Sequence, residues 1–151
     1  MLQRIQSIWL LLAGVFAAIT FRFPFYSGLQ TTPLPAPAPA PITGAAIATT
    51  LPELNAYSTL PITVLTVLTG ALAIITIFFF NNRKQQLKMT YTGLFMSVFL
   101  LVLYFFEMRH FASGNVTLWV IFYFFLPVSF ILAARGIHHD EKLIKSMDRL
   151  R

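Results

Sequence analysis

Four uncharged apolar runs decide what this chain can be. They cover residues 5–21, 60–80, 89–106 and 116–134, each 17 to 21 residues long. A helix rises about 1.5 Å per residue, so about 20 apolar residues cross a hydrocarbon core of about 30 Å. Strands average only about 5 to 6 residues, and a bilayer admits no open sheet edge. All four runs are therefore read as helices, the first with the smallest margin of length. Composition agrees, since 57 % of the 151 residues are hydrophobic and 11 % are charged. A soluble domain of this size cannot bury so much apolar surface. The expected fold class is all-α, an integral membrane bundle of four transmembrane helices.

The positions of Lys and Arg orient the bundle. Arg4, Arg83, Lys84, Lys88, Arg135, Lys142, Lys145, Arg149 and Arg151 fall on one side of the runs, and only Arg22 and Arg109 on the other. By the positive-inside rule the richer side is cytoplasmic, which places both termini and a short turn at residues 81–88 inside. Asp140, Glu141 and Asp148 join that side, and Glu53 and Glu107 the other, so the net charge of +6 resides on the inner side. The charge is thus a topology signal, and nucleic acid is not an expected partner. Arg4 ahead of an apolar run resembles a signal peptide, but Phe21, Phe23, Pro24 and Phe25 stand where small residues would precede cleavage. The first span is expected to be retained.

These boundaries give a transmembrane domain over residues 1–136 and an inner tail over 137–151. The outer connection, residues 22–59, carries Pro33, Pro35, Pro37, Pro39 and Pro41 in strict alternation. Such a composition favours extended polyproline II and reads as a stiff spacer. Each span also carries small residues four apart: Gly14 and Ala18, Thr66 and Gly70, Gly93 and Ser97, Ser129 and Ala133. Small residues let helix backbones approach closely in a membrane. On the second span Thr63, Thr66, Gly70, Ala73 and Ile77 form one stripe at helical spacing, expected to face the bundle. Pro127 frees the carbonyl of Tyr123 and predicts a kink.

Chemistry is sparse. No charged residue lies in the middle of any span, which weighs against proton-coupled transport and charged-substrate carriage. The chain has no cysteine, so disulfides and thiolate sites are excluded. His110, His138 and His139 lie outside the spans, where they cannot ligate a haem held in the bundle. Glu107 and His110 have the Glu-x-x-His spacing of one half of a carboxylate-bridged di-metal site, without a second copy. His138 and His139 point about 100° apart on a helix. There is no phosphate loop, nucleophile elbow or catalytic carboxylate pair. No catalytic, cofactor-binding or metal-binding residue is nominated, no cofactor is expected, and the chain is not expected to be an enzyme. At the outer interface Arg22 and Glu107 are expected to pair.

The tail from residue 137 is expected to continue the fourth span as an amphipathic helix. Leu143, Ile144, Met147 and Leu150 share one flank, and His138, Lys142, Lys145 and Arg149 another. Asp140, Glu141, Lys142, Lys145, Asp148, Arg149 and Arg151 are the candidates for contact with a partner or the membrane surface.

Two segments carry a family resemblance: MLQRIQSIWLLL at residues 1–12 and DEKLIKSMDRLR at residues 140–151. The chain resembles the bacterial membrane family called domain of unknown function 4293 over essentially its full length, and the closing segment is the more specific part. The resemblance implies a four-span protein of a bacterial cytoplasmic membrane and no assigned activity. His138 and His139 stand where basic residues of the lysine type are expected, and the alternating proline stretch is unlike the family's usual outer loop. The leading expectation is a non-enzymatic scaffold or docking protein, partnered by the lipid bilayer and by a membrane or cytoplasmic protein. The alternative is a small transporter or channel for a neutral solute, lined by the threonines of the second span.

Overall fold

The computed structural model describes residues 3–30, 53–79 and 82–148. The elements run in the order α1 (Gln3–Arg22), β1 (Tyr26–Gln30), β2 (Glu53–Leu54), α2 (Leu60–Phe78), α3 (Arg83–Met108), β3 (Phe111–Val116) and α4 (Val120–Asp148). The helices form a ring in which α1 packs on α2, α2 on α3, α3 on α4 and α4 back on α1, the last interface being the most extensive. All three strands lie at one end, the sheet end. The α2–α3 turn and the far ends of α1 and α4 lie at the other, the basic end. The proline stretch at residues 33–41 and residues 149–151 lie outside the described residues, as do the side chains of Arg4, Glu141, Lys145 and Asp148.

The exterior of the helices is apolar, unlike that of a soluble bundle, while the interior mixes apolar side chains with small and polar ones. The inward positions of α2 are Ile62, Thr66, Thr69, Ala73 and Thr76, and those of α3 include Gln86, Thr90, Gly93 and Ser97. The outward positions are Val64, Val67, Leu68, Ile74 and Ile75 on α2, and Phe95, Val98, Phe99 and Val102 on α3. In water such an exterior is a single large apolar patch. In hydrocarbon it matches the solvent, and small inward residues supply the packing. Three helices, α2, α3 and the 120–140 part of α4, are long and apolar enough to cross a membrane, and residues 6–22 of α1 form a shorter apolar stretch.

Glycine sets the helix spacing. A Cβ on Gly93 would overlap the Phe130 ring, so α3 and α4 approach as closely as they do only because that position has no side chain. On the α1–α2 seam a Cβ on Gly70 would lie 3.3 Å from Ala17 Cβ, and one on Gly14 would lie 3.4 Å from Ile74 Cγ1. Ser97, Ser129, Thr66 and Ala133 are buried. Ala18, the remaining small residue of the four pairs, is exposed instead. Thr66 and Ala73 of the α2 stripe are buried, with Thr63, Gly70 and Ile77 half-buried beside them. Helix α4 runs through Pro127 from Val120 to Asp148.

The all-α expectation needs correction, because a three-stranded antiparallel sheet in the order β2-β1-β3 covers one end of the bundle. Strand β3 occupies residues 111–116, so the fourth helix starts at Val120 and not at residue 116. The sheet gives partners to backbone groups that would otherwise be orphaned where the chain leaves α1 and α3. Tyr26 pairs with Leu54 on one side and Val116 on the other, and Gly28 pairs with Gly114. Residues 81–88 are likewise not all turn, since α3 begins at Arg83 and carries Arg83, Lys84 and Lys88 in its first two turns.

Candidate functional site at the basic end

Two polar clusters lie inside the bundle, one near each end. At the sheet end each helix supplies one buried hydroxyl: Thr20 from α1, Thr66 from α2, Tyr104 from α3 and Tyr123 from α4. Tyr123 donates to the carbonyls of Thr20 at 3.2 Å and Phe23 at 2.7 Å, closing carbonyls that the end of α1 leaves open. The amide of Ala56 also donates to the Thr20 carbonyl, and Thr117 Oγ1 donates to the carbonyl of Pro24. These bonds tie the connection before α2 to the last turn of α1, and the connection before α4 to the segment that leaves it. Phe25 then enters the bundle mouth, its ring 5.1 Å from those of both Tyr104 and Tyr123. The cluster is sealed by aromatic packing, a structural role.

The threonines of α2 are committed locally. Thr66 donates to Ile62 O, Thr69 to Leu65 O and Thr76 to Leu72 O, each at 2.6 to 2.7 Å. Thr63 donates to Ala56 O at 2.7 Å. Hydroxyls bonded to their own helix need no other partner.

At the basic end the two segments that carry the family resemblance meet. Gln6 of α1 donates from Nε2 to Oδ2 of Asp140 on α4, and both residues are buried, at 4 % and 8 % exposure. Gly136 makes the approach possible, because a Cβ there would lie 3.0 Å from Gln6 Cγ. Ile137 is buried beside this contact. Gln86 and Thr90 of α3 are buried as well. The seven-residue offset from the Gly93–Phe130 contact puts Gln86 near the level of Ile137 along the antiparallel α3–α4 pair. A carboxylate taken out of water needs hydrogen-bond partners, and the Gln6 carboxamide supplies one.

Asp140, expected on the accessible surface of the tail, is therefore committed inside the chain. His138, His139 and Lys142 are exposed on the same helix. Sequence reasoning did not single out Gln6, although it lies in the opening segment that carries the resemblance. A buried glutamine facing a buried aspartate 134 residues away has no local signature. Tyr104, Tyr123 and Phe25 were missed for a different reason: aromatics inside apolar runs look alike whichever way they point.

At the sheet end Arg22 is exposed and Glu107 half-buried, and among the described residues they form no ion pair. The expected pair fails because α1 and α3 are not neighbours in the ring. Arg109, the other cation of this end, sits over the Phe106 ring at 5.4 Å.

The architecture defines a class of protein, a small helical bundle with an apolar exterior, three helices of membrane-spanning length and a sheet at one end. The chain belongs to the family described as Domain of unknown function (DUF4293), which matches residues 2–150. No curated protein and no solved structure matches it.

Proposed function

We propose that this protein is a four-span protein of a bacterial cytoplasmic membrane, with the basic end inside, and that it acts as a non-enzymatic docking protein through that end. The observation that carries the reading is the buried Gln6–Asp140 joint from which α4 runs on as helix to Asp148. A 29-residue helix is about 43 Å long, exceeding the hydrocarbon core by about 13 Å. The joint braces the base of that extension against α1, so a partner meets a helix held in a fixed orientation. Rigid presentation reduces the ordering cost of association. The alternative of a neutral-solute channel lined by α2 is disfavoured by the threonine hydroxyls, which donate within the chain.

The test is crosslinking in cells from a photoreactive amino acid placed at Lys142, with and without Gln6→Ala. The expected result is one discrete protein adduct that fades when the joint is loosened. Adducts to lipid alone, together with normal cell behaviour of a chain truncated before Ile137, would reduce the tail to an anchor.

A further inference from the structure

We propose that Asp140 has a second partner, Arg83 of α3, and that its carboxylate exchanges between Gln6 and Arg83 to set the direction in which α4 leaves the bundle. The proposal rests on the docking reading for its purpose and makes Arg83 a positioning residue of the docking end.

Two facing stripes bring the pair together. The buried positions of α3 are Gln86, Thr90, Gly93, Ser97, Leu100 and Tyr104, alternately four and three residues apart. One further step of three reaches Arg83, the first residue of the helix. The buried positions of α4 include Tyr123, Leu126, Phe130, Ala133, Ile137 and Asp140 at the same alternation, so this stripe ends in Asp140. The two stripes pack antiparallel. The rings of Tyr104 and Tyr123 lie 4.8 Å apart at the sheet end, and a Cβ on Gly93 would meet the Phe130 ring midway. Their other ends, an arginine and an aspartate, therefore close the basic end of one interface. The α1–α2 seam agrees, because Gly14 lies against Ile74, which puts Gln6, eight residues back along α1, level with residue 82. Gln6, Arg83 and Asp140 thus share a layer, each on a different helix.

Arg83 is half-buried, and its Nη1 is buried with no hydrogen-bond partner among the described residues. A buried donor left in that state is costly, and more so when charged. Asp140 is the only buried acid among the described residues, and the other described cations of this end, Lys84, Lys88, Arg135 and Lys142, are exposed. Gln6 occupies Oδ2 of Asp140, and a carboxylate has lone pairs for further donors. A bond from a guanidinium is also stronger than one from a neutral carboxamide. Exchange has a mechanical consequence, because α4 packs between α1 and α3 in the ring. Held by Gln6, the base of the tail is drawn toward α1. Held by Arg83, it is drawn toward α3.

Two measurements on the isolated full chain in micelles test the exchange. In a double-mutant cycle, Arg83→Gln should lower the folding constant about tenfold in the native background and hardly at all in Asp140→Asn, which keeps a side chain for Gln6 but loses the charge. Spin labels on Lys88→Cys and Lys142→Cys then report where α4 stands, since the chain has no cysteine of its own. Gln6→Ala, which leaves Arg83 as the remaining partner, should shorten that distance, and Arg83→Gln should not. Equal losses from Arg83→Gln in both backgrounds would show that Arg83 serves another group, and overturn the proposal. So would a label distance that neither variant moves, since Arg83 would then brace the bundle without exchanging. Failure to find a protein adduct at Lys142 in cells, with the coupling and the shift both present, would sink the docking reading and leave the exchange standing.

Discussion

Single residues with no side chain decide the tightest contact of this bundle. The Phe130 ring fills the space that a Cβ on Gly93 would need, and both residues are buried. Overpacking of this kind typically costs about 1 to 3 kcal/mol. Gly93→Ala is accordingly expected to destabilise the protein by an amount in that range, measured by denaturant unfolding in micelles. Phe130→Leu introduced beside it should recover part of the loss. An unchanged midpoint in Gly93→Ala would mean that α3 and α4 do not meet there. Sequence reasoning named Gly93 for packing because glycine and serine four apart suit close helices, but it had no means of naming Phe130. Which face an aromatic takes within a uniformly apolar run is set by the partner helix and leaves no mark in the local pattern.

Among the elements, the helices were legible and the sheet was not. Runs of apolar residues register a helix directly, because the bilayer requires their length. The expected spans at residues 60–80 and 89–106 lie close to α2 and within α3. Strands β1, YSGLQ, and β3, FASGNV, show no apolar alternation, and residues 26 and 116 pair across most of the chain. Their shared Ser-Gly steps, at residues 27–28 and 113–114, were the available signal. Gly28 and Gly114 face one another across the pair, and a Cβ on either would overlap the opposite backbone. Gly28→Val should therefore separate β1 from β3. Hydrogen exchange would register this as lost protection in residues 26–30 and 111–116, with α2 and α3 protected as before. Retained protection at both strands would show that the close approach is not required. The failed Arg22–Glu107 pair belongs to this scale too, since the order of helices around the ring decides which interfacial charges meet.

For the whole molecule, the apolar exterior suits a bilayer, and the separation of a sheet end from a basic end gives the bundle a direction. The same Lys and Arg count that supports the proposed orientation gathers positive charge at the end where the opening and closing segments meet at Gln6 and Asp140. The docking reading depends on that end lying in the cytoplasm. Because the chain contains no cysteine, its topology can be read by introducing one at a time. A membrane-impermeant maleimide applied to intact spheroplasts is expected to label Asn115→Cys, on the exposed part of β3, and to leave Lys84→Cys and Lys142→Cys unlabelled until the membrane is opened. Labelling of Lys142→Cys from outside while Asn115→Cys stays protected would contradict the orientation, and with it the account of the basic end.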